Sequence, residues 1–201
     1  PIAAKKTIVI DNSKYFRKDP EIPLIVPEVN PNELSKFKNK NIIANANCSV
    51  IPIVVALKPL HVLYNVKRIV ASTYQSVSGA GKDGMDELIS QTREVLENKN
   101  VTSKNFTKQI AFNAIPHIDS FLEDGSTKEE RKSCDEIKKI LDKKINVTST
   151  CVRIPVLVSH SISANVEFNN THNLEEIKNV LSTSPGCKVI DEPVSYTHLR
   201  A

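Results

Sequence analysis

Apolar positions along the chain fall into blocks separated by turn residues. The most informative block begins with the apolar run Asn41–Ala46, which stops at Asn47-Cys48-Ser49. A long apolar stretch, Val50 to Leu60, follows at once. Strand, tight turn, then helix is the simplest arrangement. Ser49 fits an N-cap, and Pro52 suits a first turn, where no helical hydrogen bond is lost. A second apolar run, Val66–Ala71, predicts another strand, followed past Gln75 by a turn-rich Ser78-Gly79-Ala80-Gly81.

On either side the periodicity alternates between extended and helical. Lys6–Asp11 (KTIVID) has the look of an interior strand, and such a strand with no neighbours before it points to a chain whose beginning is missing. Pro20, Pro23, Pro27 and Pro31 cut the next stretch into extended pieces. One or two helical turns are expected within Asn32–Lys38. Asp83–Lys99 carries Met85, Leu88, Ile89, Thr92, Val95 and Leu96 on one helical face. Asn98–Lys108 is polar and expected to be a loop, and Ile110–Ile118 a short strand stopped by Pro116. Thr127 and Glu130 form a capping box for a helix running to about Leu141. Asn146–Ile154 and Ser161–Phe168 alternate and predict strands. Asn173–Leu181 predicts a short amphipathic helix, and Cys187–Ile190 a last short strand.

Composition narrows the class without changing this picture. The 201 residues allow one sizeable domain or somewhat more, with 40% hydrophobic and 25% charged residues. The net charge of +4 is spread among interspersed Lys, Asp and Glu, and aromatics are 5%. That argues against a nucleic-acid surface. No apolar run reaches the roughly 18–20 residues of a membrane span. The four cysteines, Cys48, Cys134, Cys151 and Cys187, form no C-x-x-C pair and fit no zinc framework. They read as reduced thiols of a cytoplasmic protein.

Several residues could carry chemistry, each with a plainer alternative. Cys48 at a helix N-terminus would have its thiolate favoured by unpaired N–H groups and the positive dipole end; a small buried hydrophobe is the alternative. Gln75 could orient a bound carbonyl or be a surface amide. Arg153 lies in the apolar stretch CVRIPVLV, where a charge needs a partner; it could clamp a substrate carboxylate or close an internal ion pair. His160 could be the acid/base partner of Cys48 or a structural histidine. Glu129 and Lys132, three apart on one helix, could bind an ammonium and an anion or form a solvated pair.

Seven phrases, in order from about Thr7 to Phe168, resemble the aspartate-semialdehyde dehydrogenase family: VIDNSKYFR, PLIVPEVN, IIANANCSVIPIVVALKPL, STYQSVSGAGKDGMDEL, FNAIPHID, TKEERKSCDEIKKIL and STCVRIPVLVSHSISANVEF. The resemblance implies an α/β fold. Residues 1–47 would be the end of a Rossmann-type NADP-binding domain. Residues 48–192 would be an incomplete catalytic and dimerisation domain with a mixed, largely antiparallel sheet, like the C-terminal domain of glyceraldehyde-phosphate dehydrogenase. It further implies Cys48 as nucleophile, His160 as acid/base and Gln75 as the group orienting the reacting carbon. Arg153 would bind the substrate carboxylate, Glu129 its amine, Lys132 and Arg17 the phosphate side, and Asn47 would lie beside the substrate. Ser78, Gly79, Ala80 and Gly81 would lie near the cofactor, and no metal is implied.

The implied reaction is NADPH-dependent reductive dephosphorylation of aspartyl phosphate through a Cys thioester, by a homodimer that binds neither nucleic acid nor membrane. It serves lysine, diaminopimelate, threonine and methionine biosynthesis. The sequence departs from the family in four places. No G-x-x-G-x-x-G precedes Thr7, Ser159 replaces the usual Gly before His160, the family's closing Gly-Ala-Ala-Leu-Asn helix is absent, and DEPVSYTHLRA after Ile190 does not resemble the family's continuation, so 193–201 could be foreign. A truncated chain of this kind is expected to be inactive alone. An N-acetyl-glutamyl-phosphate reductase-like enzyme and a noncatalytic dimerisation module are the alternatives.

Overall fold

The computed structural model describes residues 2–191, so His198 and the divergent tail 193–201 lie outside the described residues. In chain order the elements are β1 (Val9–Asp11), β2 (Leu24–Ile25), β3 (Ile42–Asn45), α1 (Val50–Tyr64), β4 (Val66–Gln75), α2 (Gly81–Leu96), α3 (Lys128–Ile140), β5 (Asn146–Arg153), β6 (Ser161–Phe168) and α4 (Leu174–Thr183). Short 3-10 segments cover Ile2–Lys5, Pro31–Asn39 and Val77–Ala80. The strands form two three-stranded sheets, ordered β1-β3-β2 and β5-β4-β6. The chain is a mixed α/β protein, as the family resemblance implies. Its described residues divide into two units: 2–70 with 132–148 and 165–191, and 71–131 with 149–164.

In the first unit, β3 pairs in parallel with β1 (Val9 opposite Ile42) and with β2 (Leu24 opposite Ala44). Ile42 and Ala44 alternate into the core with Leu24, Ile25 and Val26. Helix α1 buries Val50, Ile53, Val54, Leu57, Leu60 and Tyr64, a stripe at helical spacing that faces the core. Pro59 lies inside it, and the helix ends at Asn65 in the left-handed region (φ 55) with its N–H on the His61 carbonyl. Helix α4 packs on α1 and is capped by Asn173, whose side chain accepts the Glu175 N–H at 2.8 Å.

The second unit has a core of Val77, Leu88, Ile110, Ala111 and Ile115, with Met85, Val95 and Phe106 packed against it. The expected strand over Ile110–Ile118 does not form; among these residues only Ile115 makes an antiparallel bridge, to Arg153. Buried N–H groups must find acceptors somewhere, and here a side chain supplies one. Gln91 Oε1 accepts from the Ile110 N–H at 2.8 Å and the Ala111 N–H at 3.2 Å. Gln91 Nε2 donates to Glu87 Oε1 at 2.9 Å and to the Thr102 carbonyl at 3.2 Å. Glu87 in turn accepts the N–H groups of Lys104 (3.0 Å) and Asn105 (2.6 Å). Two polar residues on α2 thus tie down both ends of the 102–111 segment without a ladder. Gln91→Leu keeps the bulk and strands both amides, and is predicted to cost about 3 kcal/mol, since each unpaired buried group costs about 1–3. Urea unfolding of wild type and variant reads this directly; an unchanged midpoint would contradict it.

The expected strand at Cys187–Ile190 is also absent. The Cys187 N–H closes a turn onto the Ser184 carbonyl at 3.2 Å instead, and Gly186 turns the chain at φ 78. The capping box at the start of α3 is present: the Thr127 N–H donates to Glu130 Oε2 at 2.8 Å and the Glu130 N–H to Thr127 Oγ1 at 3.3 Å.

Candidate functional site

In the first unit, β3 leads into the turn that carries Cys48. Asn47, not Ser49, caps α1. Its Oδ1 accepts the Ser49 N–H at 2.9 Å and the Ser49 hydroxyl at 2.9 Å, while its carbonyl accepts the N–H groups of Val50 (2.9 Å) and Ile51 (3.1 Å). Ser49 itself already has helical backbone angles and makes no side-chain cap. Cys48 therefore sits in the first turn of α1, where the helix dipole favours a thiolate. Its thiol lies 3.6 Å from Asn47 Oδ1. Cys48 is exposed, whereas Cys151 is fully buried and burial pushes its thiol pKa up. None of the four cysteines is in a disulfide.

The turn is held from α3. Glu136, 3% exposed, accepts the Asn47 N–H on Oε2 at 2.6 Å and Arg17 Nη1 on Oε1 at 3.1 Å. Arg17 is likewise buried, donates through Nη2 to the Asn12 carbonyl at 3.1 Å, and has no partner for Nε among the described residues. Lys139 Nζ donates to the carbonyls of Arg17 (2.8 Å), Asp19 (2.8 Å) and Ile22 (3.2 Å), fixing the loop that bears Arg17. Partial burial lowers the Lys139 pKa. Arg17, Glu136 and Lys139 line a pocket of ≈ 490 Å³ together with Lys18, Lys36 and Lys138. Lys132 is half-buried on α3, three residues after Glu129.

In the second unit, β4 ends at Gln75, 2% exposed. Gln75 Oε1 accepts the Thr73 hydroxyl at 2.9 Å, and its Nε2 donates to Glu129 Oε1 at 3.4 Å. Gln75 is a buried partner of Glu129, not a surface amide. The chain continues through Ser76 into Val77–Ala80. Ser76 joins two more candidates: its carbonyl accepts Arg153 Nη1 at 2.6 Å, and its N–H donates to His160 Nδ1 at 3.0 Å. Arg153 is 8% exposed, with its guanidinium carbon 6.0 Å from the Phe106 ring centroid, within cation–π range. Burial and the Arg153 charge hold the His160 pKa below its usual value, against the smaller opposing effects of the Ser159 hydrogen bond and Glu129.

The Ser78–Gly81 loop is pinned by the segment after β5, the Val77 N–H donating to the Val156 carbonyl (2.9 Å) and the Ser78 N–H to the Leu157 carbonyl (3.0 Å). A Cβ on Gly79 would come within 3.3 Å of Arg153 Nη1, so the glycine lets the loop lie closely on the guanidinium. Gly81 has φ 78 and open space beside it, which suits close approach of a ligand to the backbone. Among the described residues, no group of His, Cys, Asp and Glu could hold a metal ion, and no helix is long and apolar enough to cross a membrane.

Thus Arg17 and Asn47 meet through Glu136 in the first unit, and Gln75 meets Glu129, and Arg153 meets His160 through Ser76, in the second. Glu136, Lys139 and Ser76 were not among the residues singled out from the sequence. One signal was available for Glu136. The buried face of α3 is Glu129, Ser133, Glu136, Ile137 and Ile140, so carboxylates occupy positions of an apolar stripe, where only paired charges survive.

The family model described as semialdehyde dehydrogenase, dimerisation domain, matches residues 57–200, and that described as semialdehyde dehydrogenase, NAD binding domain, matches residues 1–37. The chain is 52% identical over 188 residues to aspartate-semialdehyde dehydrogenase of Aquifex aeolicus, covering 92% of this chain and 55% of that protein. The crystal structure of aspartate semialdehyde dehydrogenase II from Vibrio cholerae superposes with a TM-score of 0.91 at 48% identity, covering 92% of this chain and 56% of that one. A more distant enzyme from Candida albicans, solved with NADP, gives a TM-score of 0.63 at 25% identity over 87% of this chain and 48% of that one. The chain spans about half the length of the curated relatives it matches. With its dimerisation-domain match running over most of its length and its α/β fold shared with these enzymes, the chain belongs to the semialdehyde dehydrogenase family.

Proposed function

We propose that this chain is the substrate-processing part of an NADP-dependent aspartate-semialdehyde dehydrogenase that works as a cytoplasmic homodimer. The observation that carries the reading is Cys48, the exposed thiol in the first turn of α1, on a turn braced by a buried carboxylate. Family membership supports the reaction, the dimerisation-domain match supports the homodimer, and a Vibrio cholerae relative solved in complex with ASA supports the substrate class.

Cys48 is the nucleophile. As a thiolate it attacks the acyl carbon of aspartyl phosphate, the C–O bond to phosphate breaks, and a thioester forms. When bound, NADPH supplies the hydride that reduces this thioester to the aldehyde level, after which the C–S bond breaks and Cys48 is regenerated. Arg153 binds the α-carboxylate, for which a planar guanidinium is suited. Glu129 takes the amine, with Gln75 beside it orienting the reacting carbon. A carboxylate for a free amine favours aspartyl phosphate over an N-acetylated substrate. Arg17, through its unpartnered Nε, and Lys132 receive the phosphate side, and Asn47 shapes the substrate side of the turn. His160 is the acid/base group. The Ser78–Gly81 backbone, open at Gly81, is where the nicotinamide cofactor approaches. The product would feed lysine, threonine and methionine biosynthesis.

A form extended to the length of its relatives, given NADP, phosphate and aspartate semialdehyde, is expected to produce NADPH, and N-acetyl-glutamate semialdehyde is expected to give none. The reverse preference would overturn the substrate assignment. Arg153→Lys in that form is predicted to raise KM for the semialdehyde about 100-fold, roughly the loss of one bidentate charge-assisted pair. A KM unchanged from wild type would remove Arg153 from the carboxylate site.

A further inference from the structure

We infer that Ser76 is a positioning residue whose backbone N–H decides which ring nitrogen of His160 carries the proton, so that the imidazole presents an N–H at Nε2. An amide N–H can only donate. Its position 3.0 Å from Nδ1 therefore requires a lone pair there, and a neutral ring then keeps its proton on Nε2. The Ser76 hydroxyl lies 3.3 Å from the same nitrogen and 2.9 Å from the Ser78 hydroxyl, so a second group able to donate stands beside that lone pair.

The Ser76 peptide is held from both sides. Its carbonyl accepts Arg153 Nη1 at 2.6 Å. The preceding carbonyl, of Gln75, accepts the Ile154 N–H at 3.0 Å, and the following N–H, of Val77, donates to the Val156 carbonyl at 2.9 Å. The amide cannot turn away to admit a proton at Nδ1 without breaking these bonds. A neutral ring is also what burial and the neighbouring Arg153 charge favour, over the opposing Ser159 and Glu129.

In this resting state Nε2 is an N–H donor, the acid half of the acid/base role proposed for His160, suited to the substrate oxygen on which charge develops while the acyl carbon is tetrahedral. Which oxygen that is rests on the proposed dehydrogenase reaction; the tautomer does not.

The test is therefore made on this 201-residue chain, without turnover. Histidine labelled with 15N is observed by long-range 1H–15N correlation at pH 7.5, and His160→Gln identifies the signals of His160 among the five histidines. Wild type and Ser76→Ala, which keeps the amide, are expected to show a single tautomer protonated at Nε2. A ring protonated at Nδ1, or one averaging between both tautomers, in either protein would overturn the inference. Ser76→Pro removes the donor at a backbone already at φ −64 and ψ 161, angles that proline adopts, and is expected to lose the single-tautomer signature. A folded Ser76→Pro chain that keeps it would equally refute the assignment, and if that variant does not fold, wild type and Ser76→Ala still decide. An extended enzyme that fails to turn over aspartate semialdehyde would refute the proposed function and leave this result standing.

Discussion

Cys48→Ala, in a form extended to the length of the relatives, is expected to lower kcat on the order of 10⁴-fold or more, the usual cost of deleting a nucleophile whose covalent intermediate divides the reaction into easier steps. The folded state should be almost untouched. Cys48 is exposed and its side chain is no part of the core, and the Asn47 cap that starts α1 is made by the neighbouring side chain and carbonyl. Thermal unfolding of the same 201-residue variant is therefore the control: a midpoint close to wild type with turnover gone separates chemistry from folding. Normal turnover by Cys48→Ala would remove the nucleophile from the account. Cys151 could not take over, because it is fully buried and its thiol is held in the protonated form by burial.

Glu136→Ala is expected to be the most destabilising single change, by about 3–5 kcal/mol, the range for breaking a buried ion pair and leaving one charge uncompensated. The carboxylate and Arg17 have side chains 3% and 9% exposed, 3.1 Å apart. The same carboxylate also takes the Asn47 N–H at 2.6 Å, so the variant leaves an unpaired amide at the start of the Cys48 turn. Glu136→Gln is the informative companion: it keeps an acceptor for one of the two donors and loses the charge, and should cost less. Urea unfolding of both variants measures the difference. A Glu136→Ala chain within about 0.5 kcal/mol of wild type, the range of ordinary surface substitutions, would contradict the role assigned to the carboxylate.

Much of the molecule is legible in its pattern, and the failures share a cause. The run ending at Asn47-Cys48-Ser49 correctly places a strand, a turn and the start of α1, because apolar blocks and helix-start residues are local signals. The cap is displaced by two residues because Asn and Ser are both good acceptors, and only the geometry shows that Asn47 Oδ1 takes the Ser49 N–H. The apolar residues Ile110, Ala111 and Ile115 are buried as their pattern suggests, yet they form no strand. The Ile110 and Ala111 N–H groups are satisfied by Gln91, about twenty positions earlier on α2, and the Ile115 N–H by the Arg153 carbonyl, and no local window contains either partner. Ser76 is similar. It stands between two phrases that draw attention, Ser-Thr-Tyr-Gln and Ser-Gly-Ala-Gly, and matters through its peptide group, which has no sequence signature. Its partners Arg153 and His160 are 77 and 84 residues away in the chain.

The burial of charge in this protein is selective. Arg17, Glu87, Glu129, Glu136 and Arg153 are each at most 8% exposed, although burying a charge without a partner is strongly unfavourable. Each of the five is hydrogen-bonded to a side chain or a backbone group, Glu87 holding the loop after α2. Such arrangements are weak arguments for stability, since an apolar replacement of the whole pair can be as stable. They are better arguments for function, because buried charged groups concentrate where charged substrates are handled. The proposed reaction needs groups for a carboxylate, an amine and a phosphate, and Arg153, Glu129 and Arg17 carry the signs to meet them.

The most direct test of the account is to look for the acyl group on sulfur. An extended form incubated with aspartate semialdehyde and NADP in the absence of phosphate, then quenched in acid and digested, should show by mass spectrometry an aspartyl group on the peptide containing Cys48, released when phosphate is added before the quench. An enzyme that turns over normally with no acyl group on Cys48, or with the group on Cys134 or Cys187, would contradict it.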